Sequence, residues 1–231
     1  MRIVGIVGGL GPETTIEYYR HIVTSYRDRV RDGSYPSVLI NCIDLKRVVD
    51  LITAGELTEV TRLLVDAISR LADGGAELAL IAANTPHIVF DEVSTKAPIP
   101  LVSIVETACE AASDLGLTRV GLLGTRFTME GRFYPEVFAR RGISIAVPVA
   151  EDRVYVHEKY MGELVHGVIR PQTREELLSI IGRLRESEGI EGIVLGGTEL
   201  SLILKEPSYS GIPCLDTTRL HVERVVAASM A

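Results

Sequence analysis

The sequence has no tryptophan, and only 5% of its 231 residues are aromatic, so it offers no platform on which unpaired bases would stack. Nor does it have a basic run. Its 24 Lys and Arg are outnumbered by 31 Asp and Glu, and the net charge of −7 argues against a nucleic-acid partner. Cysteine is scarce too: Cys42, Cys109 and Cys214 stand far apart, with no C-x-x-C pair or His/Cys cluster. That spacing encodes neither a disulfide framework nor a zinc site, and no metal is expected. Long apolar runs are also missing, because LALIAA at 78–83 is far below the roughly 20 residues of a membrane helix. No membrane association is expected. Met1-Arg2 leads straight into IVGIVGG, without the long apolar segment and A-x-A site of a secretory signal, which predicts a cytoplasmic location. Asn and Gln total three and Arg outnumbers Lys 20 to 4, habits of heat-adapted proteins.

What the sequence does contain is a rhythm. Short β-branched runs alternate with longer amphipathic stretches, and each run ends in Gly, Asn, Asp or Thr, which predicts an α/β fold with mainly parallel sheet. Strands are expected near 2–7, 37–42, 77–82, 100–103, 119–123, 143–147, 191–195 and 212–215. Helices are expected near 12–31, 56–73, 86–95, 104–115, 129–141, 151–166, 173–187 and 217–230, the last opened by the cap signal Asp216-Thr217-Thr218. RIVGIVGGLGPETT near the start resembles RVGLLGTRFTM from 119, and LALIAANTPH resembles GIVLGGTEL from 192, both offset by about half the chain. Two copies of one βαβ-rich unit predict two lobes, 1–103 plus 210–231 and 104–209. A ligand site is expected between them, where strand carboxyl ends meet.

Four motifs fall at such strand ends. Gly8-Gly9-Leu10-Gly11-Pro12 is a glycine loop between a strand and a helix, where backbone N–H groups and a helix N-terminus favour an anion. A dinucleotide is disfavoured, because Thr14 stands where the third glycine would fall and no acid ends a strand about 20 residues on. A tight turn without a ligand is the alternative. Ala83-Asn84-Thr85-Pro86-His87 follows another strand, so Asn84 and Thr85 either hold a carboxylate or amino group or simply cap a helix. Gly197-Thr198-Glu199 is its second-half counterpart, with the same two readings for Thr198 and Glu199. Thr125, after Leu123-Gly124, matches the first loop.

Taken together, GIVGGLGPE, ANTPH at 83–87, LLGT at 122–125, LGGTEL at 195–200 and DTTRLH at 216–221 resemble the aspartate/glutamate racemase superfamily, nearest the aspartate racemase branch. The resemblance covers essentially the whole chain in order. It implies two pseudo-symmetric Rossmann-like lobes, a homodimer, a small acidic amino acid bound between the lobes, and no cofactor. It also implies racemisation by two cysteines on opposite faces of the α-carbon, since a single base returns the proton to the side it left. In this sequence the two cysteine positions are Ala83 and Gly197, neither of which can carry a proton, so the two-thiol mechanism does not operate as written. Val165 and His166 stand where relatives place a substrate-contacting lysine.

Glu199, if buried, is the expected substitute base; Cys42, His87 and His221 are further candidates. Cys109 and Cys214 read as core. Arg47 would pair with a distal carboxylate through its bidentate fork, or is an exposed residue opening a helix. Three functions remain: an acidic-amino-acid racemase relative, a non-catalytic amino-acid-binding homologue keeping Gly8, Gly11, Asn84, Thr85, Thr125 and Thr198, or an isomerase or lyase using a non-cysteine base.

Overall fold

The computed structural model describes residues 1–231. The chain divides into two compact units, Met1–Ile104 with His221–Ala231, and Val105–Leu220.

The first unit is built on a parallel four-stranded sheet of order β2-β1-β3-β4, with β1 at Val4–Gly8, β2 at Val38–Cys42, β3 at Leu78–Ile81 and β4 at Leu101–Val102. All residues of β1 and β3 are buried, as continuous apolar runs in a sheet covered on both faces should be. Helices α1 (Pro12–Val30), α2 (Leu45–Thr53), α3 (Leu57–Asp73) and α4 (Phe90–Lys96) join the strands, α4 being preceded by a 3₁₀ turn at Thr85–Val89. Pro12 opens α1 at a position where no intrahelical N–H bond is lost. Tyr18, Ile22 and Tyr26 of α1 meet Val4, Ile6, Leu78 and Leu80 in the core.

The second unit repeats the pattern in a sheet of order β6-β5-β7-β9-β8. Its strands are β5 (Arg119–Gly124), β6 (Ser144–Ala146), β7 (Gly192–Gly196), β8 (Ser208–Tyr209) and β9 (Ile212–Asp216). Only β8 runs antiparallel. Set side by side, β2-β1-β3-β4 and β6-β5-β7-β9 have the same order, and the structure carries the duplication expected from the half-chain offset. Its helices are α5 (Ile104–Asp114), α6 (Arg126–Glu130), α7 (Phe133–Ala139), α8 (Ala150–Gly162), α9 (Pro171–Glu188) and α10 (Leu200–Ile203). The final helix, α11 (Thr217–Met230), is capped by Asp216, whose Oδ1 accepts from the N–H groups of Thr218 and Arg219 at 3.0 and 3.2 Å. Its residues Val222, Val225 and Val226 pack into the first core.

The chain returns to the first unit at 221, not at 210. Residues 212–216 form β9, hydrogen-bonded parallel to β7, so they stay with the second sheet. The single helix expected over 129–141 is two, parted at Gly131, whose extended backbone (φ −73°, ψ 155°) breaks the helical turn. α10 and β8 were not anticipated, and of α2 only an opening near Arg47 was expected. No helix is long and apolar enough to cross a membrane.

Candidate functional site

In the first unit, three strand-end loops leave one edge of the sheet. Gly8 is registered against Cys42 at the end of β2, and Val7 against Ile81 at the end of β3, from which the Ala83-Asn84-Thr85 turn emerges. Gly9 has φ 78°, and a β-carbon there would lie 2.4 Å from the Ile43 carbonyl oxygen. Only glycine fits that approach. The Gly9 N–H donates to Thr15 Oγ1 at 3.0 Å, and that hydroxyl donates to the Gly11 carbonyl at 3.0 Å. Much of this loop's glycine content is therefore explained by its packing against the following loop and α1.

Ala83 and Asn84 are buried and Thr85 is half-buried. Their carbonyls organise the turn: His87 Nδ1 donates to the Ala83 carbonyl at 3.0 Å, and the His87 N–H to that of Asn84 at 2.9 Å. His87 Nε2 accepts from the Ile104 N–H at 3.3 Å, and the ring stacks on Phe90 with centroids 4.8 Å apart. His221 is engaged at both nitrogens as well, donating from Nε2 to the Val102 carbonyl at 2.9 Å and accepting from the Tyr18 hydroxyl at 2.8 Å. Burial, with the nearby His221 adding to it, pushes His87 down to about 3, and burial pushes His221 down to about 4. Both imidazoles are neutral, fully bonded parts of the core, and the structure gives neither a free nitrogen for base chemistry.

The cysteines divide by position. Cys109 is buried in α5, its thiol raised by burial; Cys214 in β9 is pushed up to about 12 by burial and by Asp216. Neither supplies a thiolate at neutral pH. Cys42 is exposed beside the glycine loop. Arg47 is exposed in the first turn of α2, after the Asp44 cap, whose Oδ1 accepts from the Lys46 N–H at 2.9 Å.

In the second unit, Gly124 and Gly196 end adjacent registered strands, so Thr125 and Gly197-Thr198-Glu199 leave the sheet side by side. Thr125 caps α6, its hydroxyl accepting from the Thr128 N–H at 3.3 Å. Glu199 is completely buried. The hydroxyl of Tyr160, from α8, donates to Glu199 Oε2 in a short contact, and Thr198 Oγ1 donates to the same oxygen at 2.9 Å. No protein group bonds Glu199 Oε1. Burial, then the charge of Glu199 and the bond to it, holds the Tyr160 phenol well above the usual range. A β-carbon at Gly197 would lie 2.5 Å from Tyr160 Cε2 and 3.1 Å from Cζ, so the ring fills the space a side chain at 197 would take.

Tyr160 was not singled out by sequence reasoning. Its only signal was indirect, because the missing side chain at 197 leaves a volume that some neighbour must fill. Val165 and His166 lie in a 3₁₀ turn (Leu164–His166) after α8, and the nearby Lys159 is held by Glu163 at 2.8 Å. No group of three or more His, Cys, Asp or Glu could hold a metal ion.

Two mainly parallel sheets that share one strand order, each sending polar loops from its strand carboxyl ends, define an α/β protein with a duplicated architecture. The sequence profile of the Asp/Glu/Hydantoin racemase family matches residues 7–225, and the chain belongs to that family. It is 33% identical to an aspartate racemase homologue of known structure from Pyrococcus horikoshii OT3, with a TM-score of 0.84 and all of both chains covered. It is 20% identical to the broad specificity amino-acid racemase RacX of Bacillus subtilis (strain 168), over 99% of each chain. A Picrophilus torridus aspartate racemase has the same fold, with a TM-score of 0.78 at 20% identity, covering 100% of this chain and 95% of the other.

Proposed function

We propose that this racemase-family protein takes a small acidic amino acid, aspartate or glutamate, between its two units. Gly8, Gly9, Gly11, Asn84 and Thr85 would come from the first unit and Thr125 and Thr198 from the second. The observation that supports this reading is that these residues follow strand carboxyl ends in two sheets of matching strand order, within a family match spanning residues 7–225. Arg47, exposed in the first turn of α2, serves a distal carboxylate in this reading. The reading invokes no cofactor, and places the protein in the cytoplasm as a homodimer. Three unpaired cysteines suit a reducing compartment.

Calorimetric titration with both enantiomers of aspartate and glutamate tests it. Binding of at least one, weakened at least about tenfold by Asn84→Ala through loss of a buried polar contact, is the expected result. No heat with any of the four, from folded protein, would defeat it.

A second reading is favoured by one specific observation. Ala83 and Gly197 carry no group that can move a proton, so the site binds its amino acid without two-thiol racemisation. Chiral analysis after long incubation with a single enantiomer distinguishes a binding homologue from a racemase.

A further inference from the structure

The Tyr160–Glu199 pair is the most unusual polar arrangement in the second unit. A fully buried carboxylate receives two hydroxyl donors on one oxygen and nothing from the protein on the other. Buried carboxylates are ordinarily paired or fully hydrogen-bonded, and an unsatisfied oxygen costs stability. The pair sits against Gly197, whose missing side chain is replaced in space by the Tyr160 ring.

We propose that Tyr160 is the proton-transferring residue of the second unit, its phenol standing where a side chain at 197 would reach the ligand and Glu199 taking and returning the phenolic proton. The proposal rests on the reading that the site takes an amino acid. A phenol on its own is a poor base here, because burial and the neighbouring negative charge disfavour phenolate. The hydrogen bond to Glu199 removes that obstacle by giving the phenolic proton somewhere to go as another arrives.

The step balances. The Cα–H bond of the bound amino acid breaks, and its electron pair stays on the substrate as the enolate of the α-carboxylate. A new O–H bond forms at Tyr160 Oη while the proton already there passes to Glu199 Oε2. While the enolate persists, the proton taken up at Tyr160 Oη exchanges with solvent; in heavy water the reverse step then delivers a deuteron to the α-carbon as Glu199 returns the phenolic proton. Tyr160 is the single base of this step, and a single base returns the proton to the face it left. Protonation therefore comes from the side that lost the proton, and the α-carbon exchanges with retention of configuration.

The test is α-proton exchange in heavy water at saturating aspartate or glutamate, followed by NMR and chiral chromatography, with calorimetry on the same samples. Expected is loss of the α-proton signal from at least one enantiomer, without its mirror image accumulating. Tyr160→Phe should slow exchange at least about 100-fold, the lower end of general acid–base contributions, while the dissociation constant changes less than about threefold. Glu199→Gln, which keeps an acceptor for the hydroxyl but takes no proton, should give the same split and guards against a Tyr160 variant that fails to fold. Exchange at the parent rate in either folded variant, or inversion as fast as exchange, would overturn the proposal. Binding without exchange in the unmodified protein would also overturn it while leaving the binding reading intact, whereas absence of binding would defeat that reading itself.

Discussion

A methyl group at Gly197 would lie 2.5 Å from Tyr160 Cε2, so Gly197→Ala has to displace a ring that is packed in the core. The expected cost is about 1–3 kcal/mol in denaturant unfolding, the usual range for overpacking. In a Tyr160→Leu background most of that penalty should vanish, a coupling that a double-mutant cycle reads directly. Equal penalties in both backgrounds would mean that the ring does not fill this space. The same geometry implies that Ala83→Cys with Gly197→Cys will not by itself create a two-thiol site, because Tyr160 occupies the room the second thiol needs. At this scale the sequence was legible in part. Ala83 and Gly197 could be named as places without a proton carrier, and Glu199 as a candidate buried acid. Tyr160 could not, since its partner lies 39 positions away and only the fold brings α8 against the end of β7. His87 and His221 looked equally available as bases in the sequence; burial, which only the fold shows, keeps both neutral, and His221 finds its partners Tyr18 and Val102 far along the chain.

Among the elements, the strands were the most readable, because apolar runs ending in Gly, Asn or Thr fix both their identity and their carboxyl ends. The short pieces were not. α10 has four residues and β8 has two, too few for a periodic pattern, and of α2 only an opening near Arg47 was expected. Nor could the sequence show that the segment 212–216 belongs to the second sheet, since pairing of β9 with β7 is a non-local contact. α11 begins just after Asp216, whose carboxylate caps it by accepting from two N–H groups, and carries His221 about a turn further on. Asp216→Ala is expected to cost about 1 kcal/mol, measured as a lowered unfolding midpoint, with Asp216→Asn close to the parent. Gly9→Ala should be far more damaging, as it forces both a left-handed φ and a 2.4 Å approach to a carbonyl oxygen.

For the whole molecule, acid should be the revealing stress. His87 and His221 have pKa values of about 3 and about 4 in the folded chain, against about 6.5 when unfolded. The unfolded state thus binds more protons below about pH 6.5, so these two groups stabilise the fold fully above that pH and progressively less as it falls toward 4. Each contributes a slope of up to about 1.4 kcal/mol per pH unit over that window. Tyr18→Phe, which leaves His221 Nδ1 without its donor, should flatten the dependence and cost about 1–3 kcal/mol at pH 7. A stability curve unchanged between pH 6.5 and 4.5 in the unmodified protein would contradict this assignment. Assembly belongs to this scale as well, and sedimentation at twice the chain mass is the expected outcome for the proposed homodimer.

The central claim is that loops from both units hold one amino acid, and a crystal structure of the protein soaked with aspartate or glutamate tests it most directly. The account predicts one ligand bonded on one side by Asn84 or Thr85 and on the other by Thr125 or Thr198, with its α-carbon facing Tyr160 and Ala83. A ligand held by one unit alone, or seated away from these strand ends, would contradict it.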